Sequence, residues 1–116
     1  MKYTVEKKEN KCAVLHFTGR LDAAIAQEFK EVLKKTALEG SIYLVVDMEK
    51  VSFIDSSGLS GLVSGFKAVR EKGGLLILAN VGMQIKVALE LTQLNRIFMI
   101  HEDLDAALQY IKSFRS

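Results

Sequence analysis

The chain has 116 residues, 49% of them apolar and 26% charged, the composition of one globular domain with an ordinary core and not of a disordered segment. Its formal net charge of +2 is too small to argue for direct nucleic-acid binding, and no apolar run approaches the ~18 residues that a membrane-spanning helix needs. A single cysteine, Cys12, excludes an internal disulfide and a multi-cysteine metal site, and without a basic-then-apolar leader the expected location is cytoplasmic.

Residues 3–7 and 13–18 read as strands, and the short polar stretch Lys8-Glu9-Asn10-Lys11 between them predicts an opening antiparallel hairpin. Cys12 lies in this β-like region and reads as a small buried hydrophobe. Gly19-Arg20-Leu21 is expected to turn, with Asp22 placed to cap the helix that follows. On that helix Ile25, Phe29, Val32, Leu33 and Thr36 share one face, and Gly40 is a natural stop. Residues 42–47 form a continuous β-branched-rich run, as in a strand covered on both faces. A second apolar cluster, Val51-Ser52-Phe53-Ile54, leads to Asp55-Ser56-Ser57-Gly58-Leu59, a turn that opens a helix over residues 59–69.

After Gly73-Gly74, residues 75–79 predict another central strand. Asn80 is expected to cap a third helix with Val81, Ile85, Ala88, Leu89 and Thr92 inward. Residues 96–100 predict a short strand, and Asp103 starts a last helix with Leu104, Ala107, Leu108 and Ile111 inward. Strands alternating with helices after a first hairpin argue for an α/β fold. The expectation is a mixed, mostly parallel sheet of about five strands with about four helices, in one domain spanning 1–116. Proline is absent, and neither a flexible linker nor an internal repeat marks a boundary.

Two helices stand out. The second is rich in small residues (Ser57, Gly58, Ser60, Gly61, Ser64, Gly65, Ala68), and each glycine costs ~0.8–1 kcal/mol of helix stability relative to alanine. Something must approach that backbone closely, either this protein's own packing or a partner near the exposed first turn. The third helix carries a second apolar stripe, Met83, Val87 and Leu91. That stripe is either deeply buried or a binding face.

Chemistry concentrates at Asp55-Ser56-Ser57-Gly58. A serine at a helix N-terminus sits where unpaired backbone N–H groups and the positive dipole end favour an added negative charge. Asp55 reads as an N-cap. Gly58-Leu59-Ser60-Gly61-Leu62 misses the nucleophile-elbow pattern at its last position. His16 and His101, the only candidate bases, fall in strand patterns, so hydrolase chemistry is not expected. No phosphate-binding loop or dinucleotide fingerprint occurs. Lys67, Arg70 and Lys72 read as a solvated helix end that complements the dipole, and no aromatic residues interleave with basic ones.

The order of motifs resembles the STAS family, named for sulfate transporters and anti-sigma factor antagonists. Gly19-Arg20-Leu21-Asp22 is similar to the family's Gly-x-Leu/Ile-Asp turn. The run from Val45 through Asp47, Phe53 and Asp55-Ser56-Ser57-Gly58-Leu59 is similar to its signature strand, loop and phosphorylation site. Lys72-Gly73-Gly74 and Leu91-Thr92-Gln93-Leu94-Asn95-Arg96-Ile97-Phe98 match two further family segments. Ser60 and Ser64 depart from frequent glycines, and Gln93 from the common glycine before Leu94.

The resemblance implies that Ser56 is the phosphorylated serine. It further implies that the unmodified domain binds an anti-sigma factor with serine kinase activity and so frees a sigma factor. The kinase brings ATP and Mg²⁺, phosphorylation ends binding, and a serine phosphatase resets the cycle. Asp22, Asp55, Ser57, Gly58, Leu59, Met83 and Val87 are the expected partner-binding residues, with Asp22 near Ser56 at the strand ends. The domain itself is expected to be no enzyme, to hold no cofactor or metal, and to exist as a monomer or weak homodimer. The alternative within the same family is a scaffold or transporter-associated subunit that phosphorylation does not regulate.

Overall fold

A computed structural model describes residues 2–115. Strands β1 (Lys2–Lys8) and β2 (Cys12–Leu21) form the antiparallel hairpin. At its turn Asn10 and Lys11 both take left-handed backbone, with φ of 60° and 63°, the conformation a tight hairpin requires. Then follow α1 (Ala26–Leu38), β3 (Tyr43–Ile54), α2 (Ser56–Arg70), β4 (Leu75–Ala79), α3 (Met83–Leu91), a 3-10 turn (Leu94–Arg96), β5 (Met99–His101) and α4 (Leu104–Arg115). The five strands lie in the order β1-β2-β3-β4-β5, and every pair after the first is parallel. The expected α/β architecture is therefore the observed one.

Alternation along the strands divides the core in two. Leu15, Phe17, Leu44, Val46, Met48, Leu76 and Leu78 point to one face and pack with Phe29 and Leu33 of α1, Leu62 and Val69 of α2, and Ile85 and Leu89 of α3. Crossovers of one hand between strands in unbroken order place all three helices on that side. Cys12, Val14, Val45, Ile77 and Ala79 point the other way and meet Ala107 and Ile111 of α4. Burial pushes the Cys12 thiol up from its ordinary value, as for an inert core cysteine.

The glycines of α2 serve packing inside this protein, whereas Ser60 is exposed. A Cβ at Gly61 would lie 2.8 Å from Phe29 Cδ2, and one at Gly65 2.6 Å from Leu33 Cδ1. The glycines let α1 and α2 approach until Phe29 and Leu33 sit directly on the α2 backbone.

Several local expectations are corrected. Gly19-Arg20-Leu21 is no turn. β2 runs on through it because β3 continues alongside, pairing Gly19 with Val51 and, after a register shift, Arg20 with Phe53 and Leu21 with Ile54. Gly19 absorbs the irregularity at φ 103°. β3 is likewise one strand to Ile54, with Glu49 and Lys50 exposed within it. Asp22 does not cap α1, whose N-cap is Ile25 with no side-chain cap bond. Asn80 does not cap α3, whose N-cap is Gly82. Instead Asn80 takes left-handed backbone at φ 57° and turns its amide toward β3. Thr92 is exposed, with its hydroxyl donating to the Ala88 carbonyl at 2.8 Å. β5 begins only at Met99, because residues 94–96 form the 3-10 turn. Asp103 does start α4, accepting from Ala106 N at 2.9 Å.

Candidate functional site

The site grows from the way β2 and β3 end together. The Asp55 amide donates to the Leu21 carbonyl at 3.2 Å, one last rung beyond the paired strands. Asp55 is extended (φ −114°, ψ −172°) and caps α2. Its Oδ1 accepts from Ser57 N at 2.9 Å and Gly58 N at 3.0 Å, and its Oδ2 accepts from Ala23 N at 3.2 Å. One carboxylate thus joins the start of α2 to the segment that leaves β2.

Asp22 stands on the other side of that join. Its Oδ1 accepts from Ala24 N at 3.1 Å and its carbonyl from Ile25 N at 3.1 Å, a tight turn that brings the chain round from β2 to α1. Its Oδ2 accepts from Arg20 Nε at 3.2 Å. The guanidinium of Arg20 lies over the Phe53 ring, 4.1 Å from its centre.

Ser56 is the first residue of α2 and is exposed. Its hydroxyl has no hydrogen-bond partner among the described residues and is open to solvent. Ser57 is half-buried beside it. Gly58 and Leu59, both expected at the partner face, are buried, Leu59 to 7% exposure. A Cβ on Gly58 would overlap the Leu21 carbonyl oxygen. These two residues shape the turn from inside and do not present side chains outward.

The structure therefore brings Asp22, Asp55, Ser56 and Ser57 together. Met83 and Val87 stand apart from that hydrogen-bonded group, on α3, which starts from the same end of the sheet one strand further on. They are on the surface, at 75% and 43% exposure, with Leu91 at 80%. This answers the alternative left by the sequence. The stripe is not core.

Sequence reasoning missed a polar cluster on the α4 side of the sheet. Asp47 of β3 is buried, and its Oδ2 lies 2.7 Å from His16 Nδ1. Its Oδ1 accepts from Asn80 Nδ2 at 3.0 Å and Glu49 N at 3.1 Å. Burial opposes ionisation of Asp47, but the hydrogen bonds from Asn80, the Glu49 amide and His16 outweigh it and hold the carboxyl below the usual carboxylate range. Glu6 of β1 approaches the other ring nitrogen of His16 at 3.4 Å. A charged residue closing the apolar run of β3, opposite a histidine in β2, was the signal available. Arg20 was the second omission, hidden inside a presumed turn. Among the described residues no group of three or more His, Cys, Asp or Glu could hold a metal ion, and no helix is long and apolar enough to cross a membrane.

The STAS domain family model matches residues 3–107. The chain belongs to the STAS domain family. An anti-sigma-B factor antagonist of Listeria monocytogenes is 33% identical over 82 residues, 71% of this chain and 72% of that protein. One of Bacillus subtilis is 29% identical over 110 residues, 94% of this chain and the whole of that protein. Among solved structures, the Bacillus cell fate determinant SpoIIAA in its phosphorylated form matches with a TM-score of 0.73 at 18% identity, covering 94% of this chain and 99% of that one. At that identity the likeness is one of fold.

Proposed function

We propose that this STAS domain is an anti-sigma factor antagonist switched by phosphorylation of Ser56. The unmodified domain binds an anti-sigma factor that is also a serine kinase, and a sigma factor is released. Phosphorylation of Ser56 ends that binding, and a serine phosphatase restores it. The observation that carries this reading is Ser56 itself, an exposed and unbonded hydroxyl directly after the Asp55 cap, inside a family motif whose relatives are named as antagonists.

In this reading Asp22, Asp55 and Ser57 form the rim that the kinase meets. Gly58 and Leu59 fix the shape of that rim from beneath. Met83 and Val87 supply apolar contact area, the kind of exposed patch that marks a protein-binding face. The test is to incubate the protein with its cognate kinase and ATP and map the product. One phosphoryl group on Ser56 is expected. A phosphopeptide carrying Ser57 or Ser60 instead would reject the assignment.

A further inference from the structure

Asp55 already occupies the donors that open α2, because its Oδ1 holds the amides of both Ser57 and Gly58. A phosphoryl group on Ser56 cannot take those two amides without displacing the cap. It also arrives beside Asp55 itself and near Asp22, whose neighbour Ala23 is bonded to the Asp55 carboxylate. The added charge of about −1.5 to −2 near neutral pH thus enters an acidic corner whose best anion donors are in use.

Arg20 is the cation tied to that corner through its bond to Asp22. It pairs across the sheet with Phe53, three residues before Ser56, and its guanidinium rests on the Phe53 ring. Nε is committed to Asp22 at 3.2 Å. The two terminal nitrogens have no acceptor among the described residues, and the side chain is 61% exposed. A guanidinium held flat by a ring and anchored through Nε presents its remaining N–H groups as a fork, the geometry that matches phosphate oxygens.

We infer that Arg20 is the receptor for the phosphoryl group on Ser56. Its terminal N–H groups bind the phosphate oxygens while Nε keeps Asp22 in place, so the modified site is one ordered Asp22–Arg20–phosphate arrangement. This inference rests on Ser56 being the modified residue.

The test uses the full chain with phosphoserine installed at position 56 during translation, so no kinase is needed. The second ionisation of the phosphate, near pH 6 for a free phosphoserine, is followed by ³¹P NMR. A neighbouring cation favours the dianion. Arg20→Gln, which keeps part of the stem on Phe53, should therefore raise the midpoint by about 0.5 pH unit. Arg20→Lys should fall between the two, since an ammonium keeps the charge and loses the fork. Asp22→Asn should lower the midpoint by removing an anion. Lys72→Ala, beyond the far end of α2, should leave it unchanged. An Arg20→Gln midpoint equal to that of the unmutated protein, or an Arg20→Lys midpoint below it, would overturn the inference. Failure of every kinase to modify Ser56 would instead reject the functional reading and leave this titration standing.

Discussion

Helices α2 and α3 leave the same end of the sheet, from neighbouring strands, and are built in opposite ways. α2 is 15 residues long, carries a side-chain cap at Asp55, and turns Gly58, Gly61 and Gly65 into the protein. α3 is 9 residues long, has no side-chain cap, and turns Met83, Val87 and Leu91 out to solvent. Its glycines, which looked like an invitation to a partner, are taken up by the protein's own packing, Gly58 against the end of β2 and Gly61 and Gly65 against α1. The large apolar residues, which looked equally like core, are free. Asp55 and the close-packed Gly58 fix the start of α2, where Ser56 stands. α3 is suited to offer area.

This contrast predicts where mutations do harm. The largest effect should come from Gly58→Ala. The new methyl meets the Leu21 carbonyl oxygen and sits 2.8 Å from Ile54 Cγ1, and that carbonyl is fixed by its bond from the Asp55 amide. Overpacking against backbone costs about 3 kcal/mol, more than the ~1 kcal/mol that alanine returns in helix propensity. Denaturant unfolding measures it, and a variant as stable as the parent would show that α2 is not seated as described.

A smaller loss should follow from Asp47→Asn, which keeps the shape and removes the charge that holds Asn80, the Glu49 amide and His16. At neutral pH the cost should be about 1.5 kcal/mol, the low end for hydrogen bonds to a charged group, because asparagine keeps one acceptor oxygen. The folded-state ionisation of Asp47 lies below its unfolded value. Its contribution is therefore fully present above about pH 4 and is lost as pH falls through the folded value. Unfolding curves from pH 7 to pH 3 should show the difference between parent and Asp47→Asn shrinking with acid. A difference that grew with acid would reverse the sign.

The smallest effect on stability, and the sharpest on the comparison, belongs to Met83→Asp. At 75% exposure the change should alter stability by no more than about 0.5 kcal/mol, while weakening anti-sigma binding in a pull-down. A collapsed melting temperature would mean the stripe is packed after all.

The elements themselves were legible in the chain. Apolar periodicity marked Phe29, Val32 and Leu33 on α1, and Leu104, Ala107 and Ile111 on α4, because burial on one face writes itself into local spacing. The strand ends were not legible. Gly19-Arg20-Leu21 and Glu49-Lys50 have the composition of turns, and they stay extended because each lies beside the other strand, some thirty residues away. Asn80 looked like a cap for the helix after it. Its amide is instead drawn to Asp47, a partner 33 residues distant that no local pattern announces. At the site, Asp55 as cap and Ser56 as exposed hydroxyl were readable from the motif. The second use of Asp55, on Ala23, depends on how β2 and β3 finish together, and so does the place of Arg20. Local chemistry was written in the sequence, whereas the connections between distant segments required the sheet.

In the proposed function a charge added at Ser56 changes what the surface accepts and leaves the fold beneath it unchanged. Titration calorimetry against the purified anti-sigma partner tests this most directly, using the unmodified protein, Ser56→Ala, Ser56→Asp and the phosphorylated form, each with a thermal melt alongside. A phosphate desolvated at a packed interface beside Asp55 should cost several kcal/mol, and a loss of about 3 kcal/mol is already more than a hundredfold in affinity. Ser56→Ala should bind like the unmodified protein. Ser56→Asp should bind poorly, and the phosphorylated form most weakly of all, with all four melting within a few degrees of one another. Equal affinity for Ser56→Ala and the phosphorylated protein would contradict the account.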